Sequence, residues 1–302
     1  MIRFRSLSRA ATVWKNITVS FFKLKPRRMS QEVSVHPMAQ GGFDKRDTSQ
    51  IYERCRPSYS REVVHFLLDK LGIAPFAASS NQPLRILELG AGTGKFTGAL
   101  QDALRDSKVQ IIASEPLISM REEFGKKHPD ISLKDFPAEN IDLPNSSVHA
   151  VIAAQSFHWF ANDKSISEIH RVLVPGGKLG LVWNRRDRSL PWVKELDEEI
   201  VLPLYKQSNT PNQQSGEWEK VLSASGKFGP INNDESFKME QTFNFDEFIN
   251  RIMSISVVAV LSKEEQQRTI DRVKLILSKH DKQEKGTFTI PYIVQIYWCQ
   301  RT

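Results

Sequence analysis

The sequence predicts an α/β fold in which helices cover both faces of an open parallel sheet. Apolar segments of strand length alternate with segments of helical periodicity between residues 85 and 183. A glycine-rich turn joins the first strand to the helix that follows it, and acidic residues stand at the ends of two successive strands. Ligands bind such sheets at the carboxyl ends of the strands, so the pattern places a site at that edge. The length of 302 residues suits one sizeable domain with an elaboration.

The N-terminal segment differs in composition from the rest of the chain. Residues 1–31 carry eight basic side chains and no acidic one, with serines and apolar residues between them. This composition is typical of a mitochondrial transit peptide, although a disordered tail or a membrane-surface anchor would share it, with Met29 or Met38 as an alternative start. We expect a basic leader or disordered tail over residues 1–40, a folded domain over residues 41–302, and mitochondrial localisation, with the cytoplasm as the alternative.

Charge and cysteine content argue against several classes of function. The formal charge of +7 falls to about −1 once residues 1–31 are set aside, so the body of the chain has no excess of basic residues to bind nucleic acid. Two cysteines, Cys55 and Cys299, are too few for a disulfide framework or a cysteine metal site. No apolar run approaches the length of a membrane span. We expect no nucleic-acid partner, no metal and no transmembrane segment.

One helix is predicted in the approach to the sheet. Ser60 precedes a helical pattern over residues 61–68 and is a suitable N-cap. A Tyr-x-x-x-Arg-Pro-x-Tyr segment runs from Tyr52 to Tyr59 before it, and residues 74–83 after it have the composition of a linker.

The first strand and its turn carry the strongest signal. Alternating apolar residues over 86–89 predict a buried strand that contains Glu88, and Gly90, Gly92 and Gly94 follow at every second position. Glycines at this spacing allow a sharp turn and a close approach of a ligand to the backbone. The helix that begins behind them offers unpaired N–H groups and a partial positive charge.

Two familiar nucleotide-binding turns do not fit this segment. A dinucleotide-binding turn requires glycine at the position of Lys95, and a P-loop requires serine or threonine at the position of Phe96. The acid Glu88 would repel a phosphate but suits a ligand with a cationic amino-acid group.

A second acid lies at the end of the next predicted strand. The apolar segment 109–114 leads to Glu115, which follows Glu88 by 27 residues. A carboxylate at the switch point of an open sheet can accept hydrogen bonds from both hydroxyls of a ribose. The two motifs together are far more specific than either alone.

Three further strands complete the parallel part of the sheet. They are predicted over residues 131–136, 148–154 and 178–183, with a helix over 164–173 that Asn162 or Asp163 caps and Pro175-Gly176-Gly177 ends.

The fourth strand brings polar and aromatic side chains to the edge that carries the acids. We interpret His149, within the strand, as a buried histidine. Gln155, His158 and Trp159 follow its last residue, which is a position for function more than for core packing.

The C-terminal part of the chain predicts an insertion over the site. An amphipathic helix over residues 192–205 and a polar stretch over 207–216 indicate a helical lid within residues 190–235 or so. The remaining predicted elements are a helix over 262–277, which begins with the capping box Ser262–Glu265, and an antiparallel strand pair over 237–243 and 287–298.

These motifs resemble those of the class I S-adenosylmethionine-dependent methyltransferases. The glycine turn after Glu88 and the acid Glu115 match the cofactor motifs of that family. Segments 155–160, 183–187 and 291–298 are similar to the methyltransferase type 11 branch and, within it, to the trans-aconitate-methyltransferase-like group. The resemblance covers residues 41–302. It implies a Rossmann-like, seven-stranded doubly wound sheet of strand order 3-2-1-4-5-7-6, with the last strand antiparallel, and S-adenosylmethionine as cofactor.

The resemblance also implies which residues contact the cofactor. Tyr52 or Arg56 would reach its carboxylate, from a segment that closes over the methionine end. Pro137 stands where better-known members carry an aspartate beside the adenine, so we expect backbone contacts there, with Asp135 as a possible substitute. The predicted cofactor-binding residues are Tyr52, Arg56, Glu88, Gly90, Ala91, Gly92, Gly94, Glu115, Pro116, Ala138, Glu139 and Gln155.

Methyl transfer from a sulfonium is an in-line displacement, so the protein mainly positions the acceptor and excludes water. A phenol, thiol or amine acceptor benefits from a general base, for which His158 is the candidate. A carboxylate acceptor needs cations instead, which Arg185, Arg186 and Arg188 could supply. The predicted catalytic residues are Gln155, His158, Asn184 and Arg185.

We therefore expect methylation of a small molecule, most simply O-methylation of a carboxylate or a hydroxyl group. The alternative is a non-catalytic assembly or scaffold protein that binds S-adenosylmethionine, because a fold alone does not establish activity. Methylation of a protein or a nucleic acid is a weaker alternative, since the body of the chain is nearly neutral.

Overall fold

A computed structural model describes residues 35–44, 46–73, 83–280 and 286–302. The predicted leader as far as residue 34 and nearly all of the predicted linker lie outside these residues.

The described residues form one sheet of seven strands with helices packed around it. The strands are β1 (Arg85–Leu89), β2 (Gln110–Ser114), β3 (Ser132–Lys134), β4 (Val148–Ala154), β5 (Leu173–Arg186), β6 (Asn232–Asn244) and β7 (Thr287–Gln300). The helices before β6 are α1 (Pro37–Phe43), α2 (Arg46–Cys55), α3 (Arg61–Leu71), α4 (Lys95–Ala103), α5 (Ile118–Lys127), α6 (Asp163–Val172), α7 (Pro191–Leu196), α8 (Leu202–Gln207) and α9 (Glu217–Ala224). Those after it are α10 (Phe245–Met253), α11 (Ser256–Ala259) and α12 (Lys263–Lys279).

The strand order is β3-β2-β1-β4-β5-β7-β6, which confirms the predicted topology. Strands β1 to β5 pair in parallel, whereas β7 runs antiparallel between β5 and β6. The carboxyl ends of β1, β2 and β4 consequently meet at one edge, with the order reversing between β1 and β4. This is the switch point at which such sheets bind ligands.

Alternation along the strands divides the core between the two faces of the sheet. Leu87 faces the cluster that contains Ile166 of α6, whereas its neighbour Ile86 faces the cluster that contains Leu67 of α3 and Leu100 of α4. Both β1 residues are fully buried, as expected of a central strand covered on both faces. Burial on both faces fixes the register of β1. It also fixes the position of the glycine-rich turn that follows this strand.

Strand β5 is longer than the sequence predicts. The Pro-Gly-Gly segment was expected to end a helix before a strand at residue 178, but β5 already begins at Leu173, which pairs with Val148. The register shifts between Val148 and Ala150, so the segment is accommodated as an irregularity in the pairing.

Two helical insertions flank β6 and share a third core cluster. Helices α7 to α9 connect β5 to β6, and α10 to α12 connect β6 to β7. Trp192 of α7, Phe248 of α10 and Phe288 of β7 meet in this cluster. The N-terminal helices pack against the second insertion, α1 on α11 and α2 on α10. The approach segment and the C-terminal insertion thus lie together over the same edge of the sheet.

The predicted helix starts are confirmed where side-chain caps were expected. Ser60 accepts a hydrogen bond from the N–H of Val63, and Asn162 and Ser262 each form a capping box. None of the helices in the described ranges is both long and apolar enough to cross a membrane.

Candidate active site

The glycine-rich turn forms the floor of a cleft at the switch point. Gly90 has φ +64°, and a Cβ there would lie 2.7 Å from the Cβ of Ser156, which follows β4. The Ser156 hydroxyl donates a 2.7 Å hydrogen bond to the carbonyl of Leu89. Glycine is therefore required both by the left-handed backbone and by the close approach of the two strand ends. Gly90, Ala91 and Gly92 line the cleft as predicted.

Gly94 has a different function from the one predicted. It lies outside the cleft lining and is the N-cap of α4, with φ +87°. A Cβ at this position would lie 2.9 Å from the ring of Phe124 and would also meet His128. Close packing of α4 on α5 explains this glycine.

Glu115 is held rigidly where a ribose acceptor was predicted. One carboxylate oxygen accepts a 2.9 Å hydrogen bond from the N–H of Gly92, and the other accepts one of 2.9 Å from the N–H of Leu117. Its residue is 5% exposed, and burial raises the pKa of the carboxyl group. A carboxylate has about four acceptor positions, so about two remain for the hydroxyl groups of a ligand.

Glu88 lies deeper in the same cleft. It is fully buried, lines the cleft, and accepts a 2.6 Å hydrogen bond from the hydroxyl of Thr97. Burial raises its pKa to about 8. A cationic group that enters the cleft would favour the ionised form of this acid. The ammonium of an amino-acid ligand, which the sequence predicts, is such a group.

The raised pKa of Glu88 predicts a specific pH dependence. The folded protein retains a proton that the unfolded chain releases near the ordinary carboxyl value of 4.5. The free energy of unfolding should therefore decrease between about pH 4.5 and pH 8. We expect Glu88→Gln to remove this dependence, since its amide can still accept from Thr97. Urea unfolding of both proteins at about pH 5 and about pH 8 measures the difference. Parallel pH profiles would contradict the assignment.

The turn predicted to contact the adenine also lines the cleft. Ala138 and Glu139 line the cleft, and the Glu139 carboxylate accepts a 2.9 Å hydrogen bond from the Asn162 amide. Asp135 is exposed and does not line the cleft, so it does not substitute for the missing aspartate. Pro116 also lines the cleft at the predicted position.

Tyr52 and Arg56 also line the cleft, as predicted. The guanidinium of Arg56 lies 4.8 Å from the ring centroid of Tyr52 and donates a 2.6 Å hydrogen bond to the carbonyl of Ser254. Burial and the neighbouring charge of Arg251 lower its pKa to about 10. It stays cationic at neutral pH and is suitably placed for a carboxylate.

The N-terminal helices contribute more to the cleft than the sequence predicts. Val35, His36 and Ala39 line it, although they fall within the predicted leader or tail of residues 1–40. Helix α1, which begins at Pro37, and the cleft residues Val35 and His36 thus lie before the expected domain start at residue 41. The side chain of His36 contacts Trp159 with ring centroids 5.5 Å apart.

Helix α2 is also tied to the glycine turn, a contact that the sequence analysis missed. The carboxylate of Glu53 accepts a hydrogen bond from the hydroxyl of Thr93 and lies 3.5 Å from the ammonium of Lys95. This acid holds α2 over the cleft.

A second cavity adjoins the cleft and receives the predicted catalytic residues. Gln155 and Asn184 line both spaces, whereas His158 and Arg185 line the second alone. Gln155 has φ +57°, an uncommon conformation for a residue other than glycine. Backbone conformations of this kind occur preferentially at functional sites. The two cavities meet at the end of β4.

His158 is arranged as a hydrogen-bond donor and not as the expected base. Its Nδ1 accepts a 3.3 Å hydrogen bond from the indole N–H of Trp183, so the ring proton belongs on Nε2. Burial and the charge of Arg56 lower the pKa of His158 to about 3. A neutral imidazole with this tautomer can position an acceptor but has no free lone pair with which to remove its proton.

The three predicted arginines are already paired with acids. Arg186 is bound to the buried carboxylate of Asp197, and Arg188 to Glu198. Arg185 has the weakest pairing, at 3.6 Å from Glu235, and it remains available to the second cavity.

Arg251 is a charged residue of the site that the sequence analysis missed. It is 4% exposed and lines both cavities from α10. In sequence it follows Phe248 by three positions and precedes Ile252, so it stands on the buried face of an amphipathic helix. An arginine on that face is the signal that would have identified it.

The donor set of the cleft fits S-adenosylmethionine. Glu115 suits the ribose, the turn at Ala138 the adenine, and Glu88 and Arg56 the ammonium and carboxylate of the methionine. Within the described ranges, no cluster of histidine, cysteine and acidic side chains is suited to a metal ion.

Comparisons with known proteins show the family of this chain. The family model of the methyltransferase domain matches residues 87–181. An uncharacterized methyltransferase-like protein of Schizosaccharomyces pombe is 34% identical over 217 residues, 72% of this chain and 79% of that protein. An uncharacterized methyltransferase of Mycobacterium tuberculosis is 32% identical over 254 residues, 80% of this chain and 89% of that protein.

A solved structure has the same fold at low identity. It is named as a type II methyltransferase from Anaeromyxobacter dehalogenans, and it is 20% identical with a TM-score of 0.56 over 81% of this chain and 97% of its own. Together with the site, these findings establish that the chain belongs to the class I S-adenosylmethionine-dependent methyltransferases.

Proposed function

We propose that this methyltransferase acts on a small molecule and methylates an oxygen atom of a carboxylate or hydroxyl group, with a carboxylate as the favoured acceptor. The resemblance to the trans-aconitate-methyltransferase-like group also supports an acidic acceptor.

The observation that carries the proposal is the second cavity. It is joined to the cofactor cleft at Gln155 and Asn184, and it is bounded by helices of both the N-terminal segment and the C-terminal insertion. A space of this kind suits a small molecule placed in line with a bound cofactor. S-adenosylmethionine, when bound, supplies an electrophilic methyl group.

The side chains around the cavity favour a carboxylate over a hydroxyl group. A hydroxyl acceptor loses a proton during transfer and therefore benefits from a base. His158 presents a donor, so it can hold an acceptor oxygen but not remove its proton. A carboxylate is already ionised at neutral pH, and Arg185, the least tightly paired of the three arginines, lines the cavity. The protein then has to orient the acceptor and exclude water.

The proposal is tested by incubating the protein and labelled S-adenosylmethionine with panels of carboxylic acids and of phenols and alcohols. We expect transfer to a carboxylic acid, giving an ester that releases labelled methanol in mild base. A base-stable product would indicate a hydroxyl acceptor. A protein that binds S-adenosylhomocysteine but methylates neither panel would favour the non-catalytic alternative. A Glu115→Ala sample controls for transfer that is not enzymatic.

A further inference from the structure

Among the described residues, two nitrogens of the buried guanidinium of Arg251 have no hydrogen-bond partner. Its residue is 4% exposed, and neither Nε nor Nη1 has a hydrogen-bond partner among the described residues. An unpaired buried charge is strongly unfavourable, because the groups that solvate it in water are not replaced. Arg186 has such a partner, since its guanidinium is bound to the fully buried carboxylate of Asp197.

Other polar atoms around the second cavity are unsatisfied in the same way. They belong to side chains that line this cavity, and they are Nε of Arg56, Oδ1 of Asn184, Nε of Arg185 and Oγ of Ser256. Three arginines and a serine thus surround one space, and each carries a buried donor atom without a partner among the described residues. The natural complement is an anionic group with several acceptor oxygens.

The buried Arg251 and the half-buried Arg56 repel each other instead of sharing an acid. The charge of Arg251 contributes to the lowered pKa of Arg56, second only to burial. Arg56 is followed in sequence by Pro57 and Tyr59, which line the cofactor cleft alone. Arg251 is followed by Ile255 and Ser256, which line the second cavity alone. Both guanidinium groups line both spaces, and their sequence neighbours place Arg56 on the cofactor side and Arg251 on the second-cavity side of the boundary between them.

We propose that Arg251 anchors a carboxylate group of the methyl acceptor in the second cavity, while Arg56 serves the carboxylate of the cofactor. This inference rests on the proposed function, because it names the residue that selects an acidic acceptor. Arg251 touches the acceptor and determines specificity, and it takes no part in proton transfer.

The first experiment assigns each arginine to its ligand. Calorimetric titration compares S-adenosylhomocysteine with its decarboxylated analogue, which differs only in the missing carboxylate. We expect the wild type to bind the complete molecule about 10- to 100-fold more tightly. Arg56→Met should remove this preference, and Arg251→Met should retain it. Loss of the preference in Arg251→Met would overturn the proposal, because Arg251 would then hold the cofactor.

The second experiment tests the acceptor site directly. Protein saturated with S-adenosylhomocysteine is titrated with mono- and dicarboxylic acids and with the matching uncharged amides. We expect the wild type to bind acids and not amides, and Arg251→Met to lose at least about tenfold in affinity, with partial recovery in Arg251→Lys. Arg268→Met is the matched control, because Arg268 is exposed on α12 and paired with Glu264. Failure of every acid to bind the wild type would overturn the proposal.

Thermal unfolding of the same variants separates an anchoring role from a structural one. A buried arginine whose partner is a ligand destabilises the ligand-free protein. Arg251→Met should therefore unfold at a temperature equal to or higher than that of the wild type. A marked decrease would show that Arg251 supports the fold, and the anchor would be rejected.

The outcomes also distinguish this inference from the proposed function. Carboxylates that bind through Arg251 but are never methylated would refute the function and leave the anchor. Carboxylates that are methylated with an unchanged KM in Arg251→Met would refute the anchor and leave the function.

Discussion

Glu115→Ala is expected to weaken the binding of S-adenosylhomocysteine by about 100-fold or more. The carboxylate is fixed by the N–H groups of Gly92 and Leu117, so its remaining acceptor positions face the cleft without further rearrangement. Hydrogen bonds to a charged acceptor contribute about 1.5–3 kcal/mol each, and two ribose hydroxyls would be lost together. The substitution also removes the hydrogen bond that ties the N–H of Gly92 to the end of β2. This loss should weaken cofactor binding further.

Isothermal titration of folded protein measures this effect. Asp102→Ala is a suitable control, since Asp102 is an exposed acid on the neighbouring helix α4 and forms an ion pair with the exposed Arg105. Its affinity should equal that of the wild type. Retention of wild-type affinity by Glu115→Ala would show that the ribose lies elsewhere.

Asp197→Ala is expected to destabilise the protein by about 3–5 kcal/mol. Asp197 is fully buried in the π-helical turn between α7 and α8, and one of its oxygens accepts two hydrogen bonds from the guanidinium of Arg186. Removing the acid leaves that guanidinium buried without a counter-charge. The free energy of unfolding in urea gives the measurement.

The control for this prediction is a carboxylate–cation pair at the surface. Glu217→Ala breaks the pair with Lys220, whose side chains are 66% and 72% exposed, and should change stability by less than about 1 kcal/mol. Equal effects of the two substitutions would contradict the burial argument. The stability of Arg251→Met is also informative. That substitution removes an unpaired buried charge, whereas Asp197→Ala creates one.

The parts of the site that depend on local sequence could be predicted. The turn from Gly90 to Gly92 is specified by residues adjacent in the chain, and Glu115 by its position at the end of an apolar strand. Both lie in the cleft, and so do the other predicted cofactor residues except Gly94. The strand order came from the resemblance and is confirmed.

The parts that depend on distant contacts could not be predicted. The role of His158 is determined by the indole of Trp183 on the neighbouring strand, which selects its tautomer. Arg186 and Arg188 looked available because their partners Asp197 and Glu198 lie on the next helical turns. Arg251 reaches the site only through the packing of α10 on α2, almost 200 residues apart in sequence.

The position of β7 between β5 and β6 has a consequence for how the molecule is made. Residues 232–244 have left the ribosome well before residues 287–300, yet in the described part of the sheet β6 pairs with β7 alone. Until the later segment arrives, the hydrogen-bonding groups of β6 are unmatched, and the helices that enclose the second cavity have no strand pair to support them. Pairing across so many residues is slow because a long loop must close first. A nascent chain can therefore assemble the cofactor half of the site during synthesis, whereas the acceptor half must wait for β7.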